Sequence, residues 1–338
     1  MLIRKPEPRA RVLEVKMRMS VATLVPALAL AVGPTLVSER PVGIADGRFY
    51  SPGGLYSAVV EYGAGNTEFV PFGRFDLLDQ DGKVVYSKDG IQHTVMDISD
   101  NGLVVGADFD GPVSGRARLH FYDRQGQERG STDIGFWGQR RFSADGSVYC
   151  VLSGSQGLRV FVSTGRELYN AGPGNRFAVS ADGRHVALAT DTEIRLLRDG
   201  EVIASIPLAT PFVRDMAFSP DGRRIGYCER RGLAAHRTQD GVCEYRYEPD
   251  DKGMRFISLD LGNRFAVCGL DFDAGRGTPG RHRRGSVVLL NAAGLVVWQE
   301  ELAYNRWYFA VPKVRFGPAG MLSVRTAEAV REYRYEEQ

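Results

Sequence analysis

Most of the features that announce a class of chemistry are missing from this sequence. Its 338 residues include only four cysteines, Cys150, Cys228, Cys243 and Cys268, with no C-x-x-C and no histidine spacing that makes a zinc site. They read as buried free thiols in strands. Charge of one sign is also lacking. The 43 basic residues face 41 acidic ones, net +2, so no global field draws the chain to nucleic acid or anionic lipid. There is no H-E-x-x-H, and "LSGSQG" carries Ser153 where a nucleophile elbow needs glycine. The five histidines, His93, His120, His185, His236 and His282, are scattered. The G-x-G-x-x-G spelling at Gly275, Gly277 and Gly280 contains Pro279 and leads into a strand-like run, not a helix, so it is no dinucleotide fingerprint. These absences give the expectation of no catalytic residue, no metal and no cofactor.

No apolar run reaches the roughly 20 residues of a membrane-spanning helix. The longest, "SVATLVPALALAV", is interrupted by Pro26 and follows Arg4, Lys5, Arg9, Arg11, Lys16 and Arg18. That order, with A-x-A spellings between Ala27 and Ala31, predicts a leader over 1–32: a signal peptide, an uncleaved anchor or a cytoplasmic tail. A periplasmic or secreted protein is expected, with the cytoplasm as the alternative.

What the chain has is glycine, 40 residues of it, well above the usual level of about 7%. No collagen period accompanies it, so the excess points to tight turns between short strands. One spelling recurs, an apolar residue followed by a Ser, Asp and Gly turn and a β-rich run. It begins at Tyr50, Ile98, Phe142, Val179, Phe218, Ile257 and Phe316. The separations of 48, 44, 37, 39, 39 and 59 residues bracket the length of a four-stranded propeller blade, about 40 to 45 residues. A second turn follows within six units, ending at Gly82, Gly126, Gly165, Gly200, Gly241 and Gly294, and such turns signal hairpins. Four residues beyond stand Tyr86, Tyr169, Tyr245 and Trp298, with Gly130 and Ala204 as the exceptions.

Each unit therefore reads as strands A, B, C and D. The last unit ends before its fourth strand, and "TLVSERPVGI" (35–44) has no unit of its own. The expected fold class is all-β, a seven-bladed β-propeller of four-stranded antiparallel blades. Residues 33–338 form one domain, with blades at roughly 45–90, 91–135, 136–173, 174–210, 211–250, 251–303 and 304–338 plus 35–44. The N-terminal strand completes the last blade and closes the ring, which protects the sheet edges.

"FSPDGRRIGY", Phe218 to Tyr227, resembles the repeat of the TolB-type, WD40-like propellers, and "FSADGSVYCV" and "VSADGRHVAL" resemble it at one remove. The G-H and W-D dipeptides of typical WD40 repeats are absent. The resemblance implies a propeller, commonly a protein-binding platform in the bacterial envelope, and names no partner. "LLNAAGLVVWQ" is similar to a quinoprotein propeller repeat in that one unit only.

The repeats differ most in their B–C loops, which are short in units three to five and long in units six, one and two. Function on a rigid scaffold sits on such loops. Two of the long loops open with D-F-D and close on basic residues: Asp108, Asp110, Arg116 and Arg118 in one, and Asp271, Asp273, Arg276, Arg281, His282, Arg283 and Arg284 in the other. They are the candidate partner-binding residues; the plain alternative is solvated strand ends whose acids pair with their own arginines. The expectation is a monomeric, non-catalytic platform that takes a protein or small ligand at this loop sector, with no specific nucleic acid. The rival readings are a propeller hydrolase or lyase with an axial site, and a structural envelope protein.

Overall fold

A computed structural model describes residues 34–41, 48–51, 55–62, 72–89, 95–109, 116–135, 137–154, 156–230, 232–249, 254–272, 283–304, 312–317, 320–326 and 329–335. The leader expected over 1–32 lies outside them.

The described chain is all-β and builds seven four-stranded antiparallel sheets. Its first strand, β1 (Thr35–Pro41), precedes the first sheet, which is β2 (Arg48–Tyr50), β3 (Tyr56–Tyr62), β4 (Phe72–Asp79) and β5 (Val84–Asp89). The second is β6 (Val95–Ile98), β7 (Val104–Phe109), β8 (Arg116–Tyr122) and β9 (Glu128–Gly135). The third is β10 (Trp137–Phe142), β11 (Val148–Ser153), β12 (Gly157–Val162) and β13 (Glu167–Asn170). The fourth is β14 (Arg176–Val179), β15 (His185–Ala189), β16 (Glu193–Arg198) and β17 (Glu201–Pro207). The fifth is β18 (Asp215–Phe218), β19 (Arg224–Cys228), β20 (Leu233–Arg237) and β21 (Cys243–Tyr247). The sixth is β22 (Met254–Leu261), β23 (Phe265–Phe272), β24 (Arg283–Asn291) and β25 (Val296–Tyr304). The last three strands, β26 (Lys313–Phe316), β27 (Met321–Arg325) and β28 (Ala329–Arg334), form the seventh sheet together with β1, which pairs antiparallel with β28 from Thr35↔Arg334 to Pro41↔Ala329. The segment that lacked a unit in the sequence thus supplies the missing strand.

The turn spelling has a local physical cause. Ser143, Ser180 and Ser219 each donate a hydroxyl bond to the aspartate two residues on, at 2.7, 2.6 and 2.6 Å. Each hydroxyl also accepts the N–H that opens the returning strand, at 3.1, 2.9 and 3.0 Å. Such side-chain bonds substitute for backbone pairing where the ladder ends. In unit six the register sets Leu261 opposite Ala266, so the turn falls at Leu261 and not at Ile257 where the spelling alone put it, and Ile257 instead lies at a one-residue bulge between Phe256 and Ser258.

Packing between sheets makes the core. In β11, Tyr149 and Val151 join a cluster with Val105, Leu119 and Phe121 of the second sheet, while Cys150 and Leu152 join Val179 and Val186 of the fourth. The strand is buried on both faces because each face meets a neighbour. Six such clusters follow one another from the first sheet to the seventh. Fully burying one such aromatic or aliphatic side chain is worth about 1.5–3 kcal/mol. Of the four cysteines, Cys150, Cys228 and Cys268 are buried as expected, whereas Cys243 is exposed on the outer strand of its sheet.

The aromatic residue four positions beyond the second turn proves to be an inter-sheet contact. A Cβ at Gly126 would meet the Tyr86 ring at 2.7 Å, one at Gly200 the Tyr169 ring at 3.0 Å, and one at Gly294 the Tyr245 ring at 2.6 Å. Trp298 instead meets Tyr333 edge to face, with centroids 5.3 Å apart. The exceptions obey the same geometry with smaller groups: Gly130 lies under the Thr164 carbonyl, and Ala204 lies against Gly241. Four of the second-turn glycines, Gly126, Gly165, Gly200 and Gly294, thus lie against a ring of the sheet before them.

Gly294 has φ +77° and a ring at 2.6 Å, whereas Gly82 has φ +76° and nothing within 4 Å. Gly82→Ala should cost about 1–2 kcal/mol of backbone strain. Gly294→Ala should cost that plus about 1–3 kcal/mol of overpacking. Urea denaturation of the two variants measures the difference; equal losses would show that the ring contact does not hold the sheets together.

Candidate functional site

The first strands of successive sheets lie side by side, β2 by β6, β6 by β10, and so on to β22 by β26. Their side chains are unexpectedly charged. The residue just before the turn position is Asp97 in β6, Arg141 in β10, Asp260 in β22 and Arg315 in β26. Two residues earlier stand Gln139, Arg176, Asp215, Ser258 and Lys313.

These side chains bridge from one first strand to the next. Asp97 accepts from Arg140 Nε of β10 and, at 2.6 Å, from the hydroxyl of buried Tyr149. Asp215 accepts the Met216 N–H at 3.0 Å and, from the next sheet, the Leu259 N–H at 3.0 Å. Asp260 accepts the Leu261 N–H at 3.0 Å and the next sheet's Phe316 N–H at 2.7 Å. Ser258 donates to the Pro312 carbonyl at 2.6 Å. Burial raises the Asp215 carboxyl against the pull of its backbone donors and of Arg141 and Arg176. Burial likewise pushes Asp260 up to about 6, against the Phe316 and Leu261 N–H groups and the charges of Arg315 and Arg141. Arg315 is pulled down by burial and held up by Asp260. Arg315 and Arg141 are nevertheless exposed to solvent.

Two adjoining cavities open among these strands. The inner one, about 340 Å³, is lined by Asp97, Gly138, Gln139, Arg140, Arg141, Phe177 and Asp215. The outer one, about 680 Å³, shares Gly138 and Gln139 and adds Leu152, Gly154, Gly174, Asn175, Arg176, Phe212, Val213 and Arg214. The Gln139 amide meets the Arg176 guanidinium and, at a long 3.4 Å, the Phe177 N–H. The charged donor is the stronger claimant and assigns the amide oxygen to Arg176. The outer cavity lies at the starts of β10 and β14, the approach to β18 and the end of β11. In each sheet this is the edge where the second strand hands over to the third, so the cavity lies beside the short loops of units three to five.

No family model and no curated protein matches the chain. Function has therefore to be argued from the site.

Of the residues singled out in the sequence, Asp108 lies 3.1 Å from His120 Nε2, and His120 Nδ1 lies 2.8 Å from Glu128. The Asp108 bond is the largest influence raising the His120 pKa, opposed by burial and aided by Glu128. Arg118 stands opposite Asp108 in register yet pairs with Asp133 at 2.7 Å on an exposed sheet surface. Arg116 opens β8 opposite Gly135, Asp271 pairs with Gly285, and Arg283 and Arg284 open β24 opposite Tyr304 and Ala303. Asp110, Asp273, Arg276, Arg281 and His282 lie outside the described residues. No group of three or more metal-ligating side chains occurs among the described residues.

The sequence reading passed over Asp97, Gln139, Arg140, Arg141, Arg176, Asp215, Asp260 and Arg315. The signal was in the aligned repeats: "MDIS", "RRFS", "LDLG" and "VRFG" share one charged column just before the turn, where a buried strand would carry an apolar residue.

Asp260 has its pKa raised on folding, so the native state holds its proton more tightly than the unfolded chain, and its contribution to stability is lost as pH rises from about 4 through about 6. Asp260→Asn should therefore gain stability relative to the parent between pH 4 and pH 7. Urea midpoints at the two pH values read this out; a variant-to-parent difference that does not change with pH contradicts the assignment.

Proposed function

We propose that the chain is a seven-bladed β-propeller of the TolB-type, WD40-like kind, with residues 33–338 as its single domain and β26 meeting β2 to close the ring. Six repeated sheet interfaces support this reading, and so does β1 (Thr35–Pro41), which pairs into the last sheet far from it in sequence.

On this scaffold the protein acts as a non-catalytic binding platform in the cell envelope. The observation that carries the function is the 680 Å³ cavity at the first strands of the third to fifth sheets. Its size falls within the roughly 300–1,000 Å³ of small-molecule sites. Its lining offers recognition groups: guanidinium and amide donors, the exposed ring of Phe212, and the apolar walls of Leu152 and Val213. Short loops leave it accessible, and the long loops of units six, one and two supply a second contact for a larger partner.

Gly154 lines the cavity, and a Cβ there meets nothing within 4 Å. Gly154→Trp should therefore fold with an unchanged melting temperature while filling the site. Crystals of the parent soaked with a fragment library should show ligands in this cavity, and crystals of the variant should not. Fragments gathered elsewhere in both proteins would sink the assignment.

A further inference from the structure

We infer that the cavity takes an organic oxyanion, a carboxylate or phosphate ester carrying an apolar body, with Arg176 and Arg141 as its charge-recognising residues. This rests on the binding-platform reading above and adds the class of ligand.

Charge is the first argument. Five guanidinium groups, Arg140, Arg141, Arg176, Arg214 and Arg315, face four carboxylates, Asp97, Asp100, Asp215 and Asp260, around the two cavities and the adjoining first strands, with Asp100 and Asp260 both acting on Arg315. The acids are already engaged. Asp97 is taken by Arg140 and Tyr149, and Asp215 and Asp260 each accept two backbone N–H bonds. Arg176 is met by the neutral Gln139 amide. Arg141 acts on Asp215 and Asp260 through its field and makes no ion pair with a described residue. What is left uncompensated is positive.

Geometry is the second. Arg141 walls the inner cavity, Arg176 walls the outer one, and Gln139 belongs to both. A guanidinium has five donors in a planar fork that matches two oxygens of one acid group. The Gln139 oxygen occupies part of the Arg176 fork and holds it in place, leaving the other donors for a ligand. Within such a recess a charge-assisted bond is stronger than on an open surface.

The body of the ligand is argued from the outer wall. Phe212 is 67% exposed, while Leu152 and Val213, which line the same cavity, are 5% and 4% exposed. An apolar group on the acid would cover the Phe212 ring, so an acid with a hydrophobic tail fits the recess better than a bare inorganic ion.

A matched series tests this on the whole chain by isothermal titration calorimetry: phenylpropionate, phenyl phosphate, phenylpropanol and phenylpropylamine. The acids should bind about tenfold or more tightly than the alcohol and the amine, since a charge-assisted hydrogen bond carries that much discrimination. Whether phenylpropionate or phenyl phosphate binds more tightly distinguishes the two acid groups. Arg176→Gln and Arg141→Gln should erase the preference, Arg176→Lys should keep part of it, and Gly154→Trp should abolish binding of every probe. Equal affinity for acid, alcohol and amine, all blocked by Gly154→Trp, overturns the oxyanion assignment and leaves the platform standing. Phenylpropionate binding unaffected by Gly154→Trp overturns both.

Discussion

A sheet whose central strands are apolar on both faces has to be covered on both sides. Tyr149 and Cys150 are neighbours in one strand, both wholly buried, and they face opposite sheets. Everything else in the molecule follows from satisfying that demand repeatedly. Each sheet stacks on the next through a cluster of aliphatic and aromatic side chains. The outer ends are locked where a ring from one sheet covers a turn glycine of the next. The pairing of β1 with β28 ties the first described strand to the last sheet by backbone hydrogen bonds, so that this sheet too has four strands.

The same demand shapes the site. First strands crowd together and have little room for large apolar groups, so the sequence places there side chains that bridge to the neighbouring backbone. Asp215 to Leu259, Asp260 to Phe316 and Ser258 to Pro312 are three versions of one device. A buried carboxylate is costly unless hydrogen-bonded, and these acids meet the cost with backbone donors. Of the surrounding arginines, Arg140 pairs with Asp97, while Arg141 and Arg176 wall the two cavities.

The units, their turns and the strand that completes the last sheet were legible in the sequence, because S-x-D-G and second-turn spellings act within a few residues of themselves. The inter-sheet bridges were not, since their partners stand far apart: Asp97 and Arg140 by 43 residues, Asp215 and Leu259 by 44, Asp260 and Phe316 by 56. The glycine-plus-four aromatic was visible as a pattern, but its purpose was hidden, and Gly130 and Ala204 looked like failures until their contacts showed the same approach with less bulk. Asp108 and Arg118 drew attention as loop-edge charges, and within the sheet they turn to His120 and Asp133.

The central claim is that β1, the first described strand, is a structural strand of the last sheet, so that seven sheets share one cooperative arrangement. Hydrogen exchange of the β1 amides bonded to β28 tests it most directly, with β17, the corresponding outer strand of the fourth sheet, as the internal standard. The account predicts that β1 is protected as strongly as β17 and exchanges through global unfolding. Exchange of β1 within seconds while β17 stays protected would contradict it.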